Sequence, residues 1–171
     1  MSVAFEQLVK ECRSRKIDRT IYNASRGHAH VLLRNLFETA HENNAKDAIK
    51  IVSGDLDSVF YGSLGQAVCD ASTNGCEVSI LVMNPKSDLD NNPFIRALKD
   101  KPGITCIQYK GPGIKLAPHF VLVGKNKYRF EVDHTEAKAE ANFNDPVFGG
   151  FLNALYKEIE VSILPAAKKI I

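Results

Sequence analysis

The stretch Pro118–Glu140, PHFVLVGKNKYRFEVDHTEAKAE, decides how this chain is read. From His119 to His134 it consists of two short runs joined by Gly124–Asn126, and that turn chemistry predicts a tight β-hairpin. Side chains alternate along a strand. On the second run, Tyr128, Phe130 and Val132 should therefore face one way and Arg129, Glu131 and Asp133 the other. A hairpin with an apolar underside holds His119, Arg129, Glu131, Asp133 and His134 near one another. A carboxylate beside an imidazole fixes its tautomer, as a nucleophile or base requires. A guanidinium in the same place can grip an oxyanion. His134 has two readings, as a second imidazole of such a site or as the cap of a short helix over Thr135–Glu140.

Upstream of the hairpin, Ala48–Ser53 is short and β-branched, and it runs at once into Gly54-Asp55, which predicts a buried strand ending in a loop. Ser58–Ser72 has helical spacing at Leu64, Ala67, Val68 and Ala71, and Asn74-Gly75 supplies a left-handed stop. Cys76–Met83 (CEVSILVM) is the plainest strand of the chain. Strand, helix and strand in that order form a βαβ unit with its two strands parallel. Asn84–Pro93 is a polar loop at the C-terminal edge of a parallel strand, where open α/β sheets bind ligands. A short helix over Pro93–Lys101, a strand over Ile104–Tyr109 and a loop over Lys110–Lys115 lead back to His119. The last helix, Asp145–Ile159, is capped by Asn144 or Asp145, with Pro146 in its first turn.

At the N-terminus, Val3–Arg15 and His28–Asn43 carry apolar residues at helical spacing. The length of 171 residues suits one domain, residues 1–171, with residues 1–45 as a helical segment packed on it. The expected fold is α/β: a mixed, mostly parallel sheet flanked by helices on both faces.

Charge narrows the function classes. Twenty-two basic residues against twenty acidic ones give +2, too little for a protein that coats nucleic acid by bulk electrostatics, so an anion site has to be local. Cys12, Cys69, Cys76 and Cys106 form no CxxC pair and are expected as buried thiols. His28, His30 and His41 have no Cys or carboxylate at ligand spacing, so neither a metal nor another cofactor is expected. Ser53-Gly54-Asp55 follows a strand but lacks the repeated glycines and lysine of a P-loop, and Asp55 and Asp57 suit helix caps. No segment has the length and apolarity of a signal peptide or a membrane span, which makes the cytoplasm the expected compartment and a membrane no partner.

The order IVSGDLDSVFYGSLGQAVCDASTNGCEVSILV, then a short helix and strand, then a hairpin led by Pro118-His119, resembles half of the phospholipase D superfamily over about Ala48–Ile159. In that family each domain carries one H-x-K-x4-D motif, and two domains, fused or as a homodimer, bring the two copies together. One histidine attacks phosphorus, the other protonates the leaving oxygen, and the lysines hold phosphate oxygens. Here His119 takes the histidine position, Val121 stands for the lysine and Asn126 for the aspartate. Ala141-Asn142 echoes the family's downstream alanine-asparagine pair, at longer spacing.

The resemblance therefore implies a single-copy module with a degenerate motif. Without a cation at position 121, apposed sites lose charge-assisted phosphate contacts. Lys115, Lys125, Lys127 or Arg129 can supply a replacement charge. The implied site residues are His119 and His134 for catalysis, with Lys115, Arg129, Glu131, Asp133 and Asn142 for binding. The implied function is a homodimeric, catalytically degenerate module binding nucleic acid, a nucleotide or a protein partner. The alternatives are a live phosphodiesterase or nuclease with His119 as nucleophile, and an assembly or inhibitory protein with an empty cleft.

Overall fold

In a computed structural model of the chain, residues 3–23, 25–112, 118–133 and 138–171 are described. The order is α1 (Val3–Arg15), β1 (Ile21–Asn23), α2 (Arg26–Thr39), β2 (Ile49–Ser53), α3 (Ser58–Tyr61), α4 (Gly65–Thr73), β3 (Val78–Val82), α5 (Pro93–Leu98), β4 (Ile104–Tyr109), β5 (Phe120–Val123), β6 (Lys127–Asp133), β7 (Lys138–Asn142), α6 (Pro146–Ile163) and β8 (Ala167–Lys169). The strands form one sheet ordered β1-β7-β6-β5-β2-β3-β4-β8.

The expected mixed α/β architecture is present, but its strands are mostly antiparallel. Among the described residues only β2–β3 and β3–β4 run parallel. These are the strand pairs joined through helices, α3 and α4 in one case and α5 in the other, as a parallel return requires. On the free edge of β2, β5 pairs antiparallel, a tight turn adds β6, and β7 pairs antiparallel with β6. Two short strands that the pattern did not single out, β1 and β8, close the two edges.

A second correction concerns Thr135–Glu140. Residues 135–137 lie outside the described residues, but 138–140 belong to β7, not to a helix. Lys-Ala-Glu-Ala is good helix-forming sequence, yet the β6 ladder on one side and β1 on the other outweigh propensities of a few tenths of a kcal/mol per residue. The helix expected over Ser58–Ser72 is split into α3, a 3-10 turn over Gly62–Leu64, and α4.

Each face of the sheet buries its own apolar cluster. On one face Leu32, Leu36 and Phe37 of α2, Val68 of α4 and Phe94 of α5 pack over Ile49, Ile51, Val78 and Ile80. On the other, Leu152, Tyr156 and Ile163 of α6 cover Val52, Leu81, Phe120, Leu122 and Tyr128. Each fully buried Leu, Ile or Phe contributes about 1.5–3 kcal/mol relative to exposure, so both layers bind the helices firmly. Caps set the helix starts: Asp57, Asn92 and Asp145 each accept backbone N–H groups of the first turn, and Pro93 and Pro146 follow the latter two. Cys12, Cys69, Cys76 and Cys106 are buried free thiols. Among the described residues no helix is long and apolar enough to cross a membrane.

Candidate functional site

Topology decides where the chemistry falls. Because β5 runs antiparallel to β2, with Val52 opposite Phe120, the start of β5 lies beside the C-terminal end of β2. His119 therefore stands next to Ser53 and Gly54, at the edge of the parallel strands where α/β sheets bind ligands. The Glu131 N–H donates to the His119 carbonyl (2.9 Å), which extends the β5–β6 ladder by one rung and puts both side chains on one face. Glu131 Oε2 lies 3.5 Å from His119 Nδ1. Both side chains are largely buried, so the contact is shielded from solvent.

One rung along, Arg129 stands directly opposite Val121. Paired residues share a face, so the guanidinium rises on the same side as His119 while Val121 is buried in the core beneath. Arg129 is only 4% exposed. Its Nε donates to Asn23 Oδ1 on β1 (3.3 Å), and a terminal nitrogen lies 3.9 Å from Glu131 Oε2. Burial pulls the guanidinium below its usual range, while Glu131 and Tyr61 push it back up. It remains a cation, as arginine does in proteins.

A cavity of about 200 Å³ opens over these groups, walled by Arg26, Ser53, Asp55, Asp57, Phe60, Tyr61, His119, Arg129 and Glu131. Its far wall is the β2–α3 loop. There Ser53 Oγ accepts the Leu56 N–H (3.2 Å), and Asp57 accepts that of Phe60 (2.8 Å). Asp55 accepts from Asn84 (2.5 Å) and Ser87 (2.7 Å). Tyr61 is buried, and that burial pushes its hydroxyl up to about 12, so it is a hydrogen-bonding phenol at neutral pH. Gly54 permits the close approach of strand and ring: a Cβ there would lie 2.9 Å from His119 Cε1 and 3.0 Å from Nε2.

The residues singled out in the sequence divide into three groups. His119, Arg129 and Glu131 converge on the cavity. Asp133 lies beyond an irregularity in the β6–β7 ladder, opposite Lys138, and does not line it. Asn142 sits opposite Tyr128, on the other face of the sheet, donating to Asp18 (2.8 Å) and accepting the Asn144 N–H (2.8 Å). Lys115 and His134 lie outside the described residues. Asn126 is in the β5–β6 turn, donating to Asn144 (2.8 Å), away from His119. Arg26, Phe60 and Tyr61, which line the cavity, and Asn23, which accepts from Arg129 behind it, were not legible as site residues, because only the β1–β7 pairing and the helix packing bring them there.

A second cavity, of about 380 Å³, lies at the opposite end of the hairpin, bordered by Arg13, Glu42, Asp47 and Lys127. Of the charged residues there, Arg13 pairs with Glu38 and Glu42, and Lys127 with Asp47. Among the described residues no group of three or more His, Cys, Asp or Glu side chains is placed to hold a metal ion.

Sheet order, helices on both faces and an imidazole at the β2–β5 junction define a phospholipase D-like α/β fold. The solved structures agree. NucT from Helicobacter pylori superposes with a TM-score of 0.65 at 10% identity, covering 90% of this chain and 100% of that one. Nuc from Salmonella typhimurium, a phospholipase D family member, gives 0.61 at 13% identity, covering 90% and 97%. TrmBL2, an archaeal chromatin protein with a novel mode of DNA binding, gives 0.61 at 13% identity over 93% of this chain, which spans 60% of that one. Sequence comparison finds no matching family model and no matching curated protein.

Proposed function

We propose that this chain is a phospholipase D-like module that binds a phosphodiester-containing ligand, nucleic acid or nucleotide, in the His119 cavity, and that it works as a homodimer. The observation that carries this reading is the convergence of His119, Arg129 and Glu131. A buried guanidinium offers a rigid, two-pronged donor set suited to phosphate oxygens. Set across the ladder from Val121, it supplies from β6 the cation that β5 lacks at that position. The DNA binding of TrmBL2 and the phospholipase D family membership of Nuc support the ligand class by analogy of fold alone.

The test is binding of a dye-labelled oligonucleotide by the wild type and by His119→Ala and Arg129→Gln, with solution mass measured by light scattering. Wild-type binding that weakens at least tenfold in both variants, by a particle of twice the chain mass, is the expected result. Absence of wild-type binding ends the reading, and a monomeric mass ends its dimeric part.

A second reading, an active phosphodiesterase, is favoured by the Glu131–His119 contact. A carboxylate at Nδ1 keeps the proton there and gives Nε2 the lone pair needed for attack on phosphorus. Hydrolysis of bis-p-nitrophenyl phosphate by wild type and not by His119→Ala is its signature. Equal rates in the two proteins would remove His119 as the nucleophile.

A further inference from the structure

The phosphodiester reading leaves open which form of nucleic acid enters the cavity, and three observations bear on that choice. First, the cation is recessed: Arg129 is 4% exposed and forms part of the lining, so a phosphate must leave the surface to reach it. Duplex phosphates lie on the outside of a stiff cylinder and are met by side chains that project from the protein. A single strand can turn one linkage inward. Second, the wall beside the guanidinium is aromatic. Phe60 is half-buried, and the Arg129 guanidinium stands 6.0 Å from its ring centroid, at the outer limit of cation–π contact. His30 and Tyr61 meet the same ring edge-on, at 4.9 and 5.1 Å between centroids, and hold its orientation. Third, among the described residues the lining carries no run of positive charge. Arg26 and Arg129 are offset by Asp55, Asp57 and Glu131, so a long polyanion laid across the opening meets carboxylates as well as cations.

We propose that the ligand is taken as a single strand, with one phosphodiester at His119 and Arg129 and the adjoining base against Phe60. This rests on the phosphodiester reading and adds to it the strandedness, the role of Phe60 and the number of phosphates engaged. About 200 Å³ accommodates a linkage and part of a base, not a stretch of helix. Binding then depends on stacking as much as on charge.

The experiment measures anisotropy of three dye-labelled probes: a deoxythymidine 10-mer, an abasic oligomer of the same length, and a hairpin duplex. The base-containing single strand should bind at least tenfold tighter than the duplex and about tenfold tighter than the abasic strand, the size of one stacking contact. Phe60→Leu, which keeps an apolar side chain against the core, should erase the difference between base-containing and abasic strands. The slope of log affinity against log salt should be about −0.7 to −1.4, the value for one or two phosphates of a single strand. A duplex bound as tightly as the single strand, an abasic strand bound as tightly as the normal one, or a slope near −4 would each overturn the proposal while leaving phosphodiester binding standing. Failure of all three probes to bind would remove the parent reading itself.

Discussion

Gly54 and His119 meet edge to edge at the site: a methyl group on the glycine would lie 2.9 Å from the imidazole Cε1 and 3.0 Å from Nε2, too close to be accommodated. The obstructing atoms belong to the end of a side chain that can rotate, so Gly54→Ala should displace the ring and leave the fold almost intact. The expected outcome is at least a tenfold loss of oligonucleotide binding with less than about 1 kcal/mol lost in urea unfolding. Wild-type affinity in this variant would mean that the imidazole position is unimportant to the site.

The Arg129–Glu131 pair is buried, and removing one partner of a buried pair leaves the other charge without compensation. Arg129→Met should destabilise the protein by about 3–5 kcal/mol. Adding Glu131→Leu should recover part of that loss, because the orphaned carboxylate goes with it. Chemical denaturation of the two single variants and the double variant gives the coupling directly. A loss below about 0.5 kcal/mol for Arg129→Met contradicts the pairing.

Alkaline pH should weaken the fold in a defined window. Burial pushes the Tyr61 hydroxyl from 10.0 up to about 12, with Glu131 adding to it, and burial alone pushes the Cys106 thiol from 9.0 up to about 12. Both groups hold their protons more tightly when folded. Their contribution is therefore complete below pH 9 and declines as pH rises toward 12. For Tyr61 alone the change amounts to at most about 3 kcal/mol. Urea midpoints at pH 8, 10 and 11.5 should fall accordingly, and Tyr61→Phe should flatten the upper part of the curve. An unchanged profile in Tyr61→Phe would assign the alkaline loss to other groups.

Gly149 is where α6 meets the β5–β6 turn, and a Cβ there would lie 2.2 Å from the Lys125 carbonyl oxygen and 2.9 Å from the Asn126 Cα. Backbone on the far side cannot swing away as a ring can. Gly149→Ala should therefore cost at least about 1–3 kcal/mol, the range for overpacking, in contrast with Gly54→Ala. Comparing the melting temperatures of the two variants separates a glycine kept for stability from one kept for the site.

Much of the architecture could be read before the coordinates. The alternation in His119–Asp133 and the run Cys76–Met83 locate strands because burial on one or both faces leaves a period in the sequence. Strand direction leaves none, so the balance between parallel and antiparallel pairs could not be inferred. Lys138–Asn142 was masked by helix-favouring residues whose state is set by neighbours far away in the chain. At the site, His119, Arg129 and Glu131 share a hairpin and a parity, so their proximity was local information. Phe60 reaches the cavity only through packing, and Asn23 reaches Arg129 only through the pairing of Ile21 with Ala141, to which no short window of sequence refers.

That last pairing bears on how the molecule comes together. Ile21 and Ala141 are far apart in the chain, as are Ile49 and Val123, and both registers must close before Asn23 can reach Arg129 and Ser53 can stand beside His119. Contacts of such long sequence separation are made slowly, after the local βαβ segment and the hairpin have formed. The cavity is thus expected to close late in folding, once β7 has emerged to pair with β1.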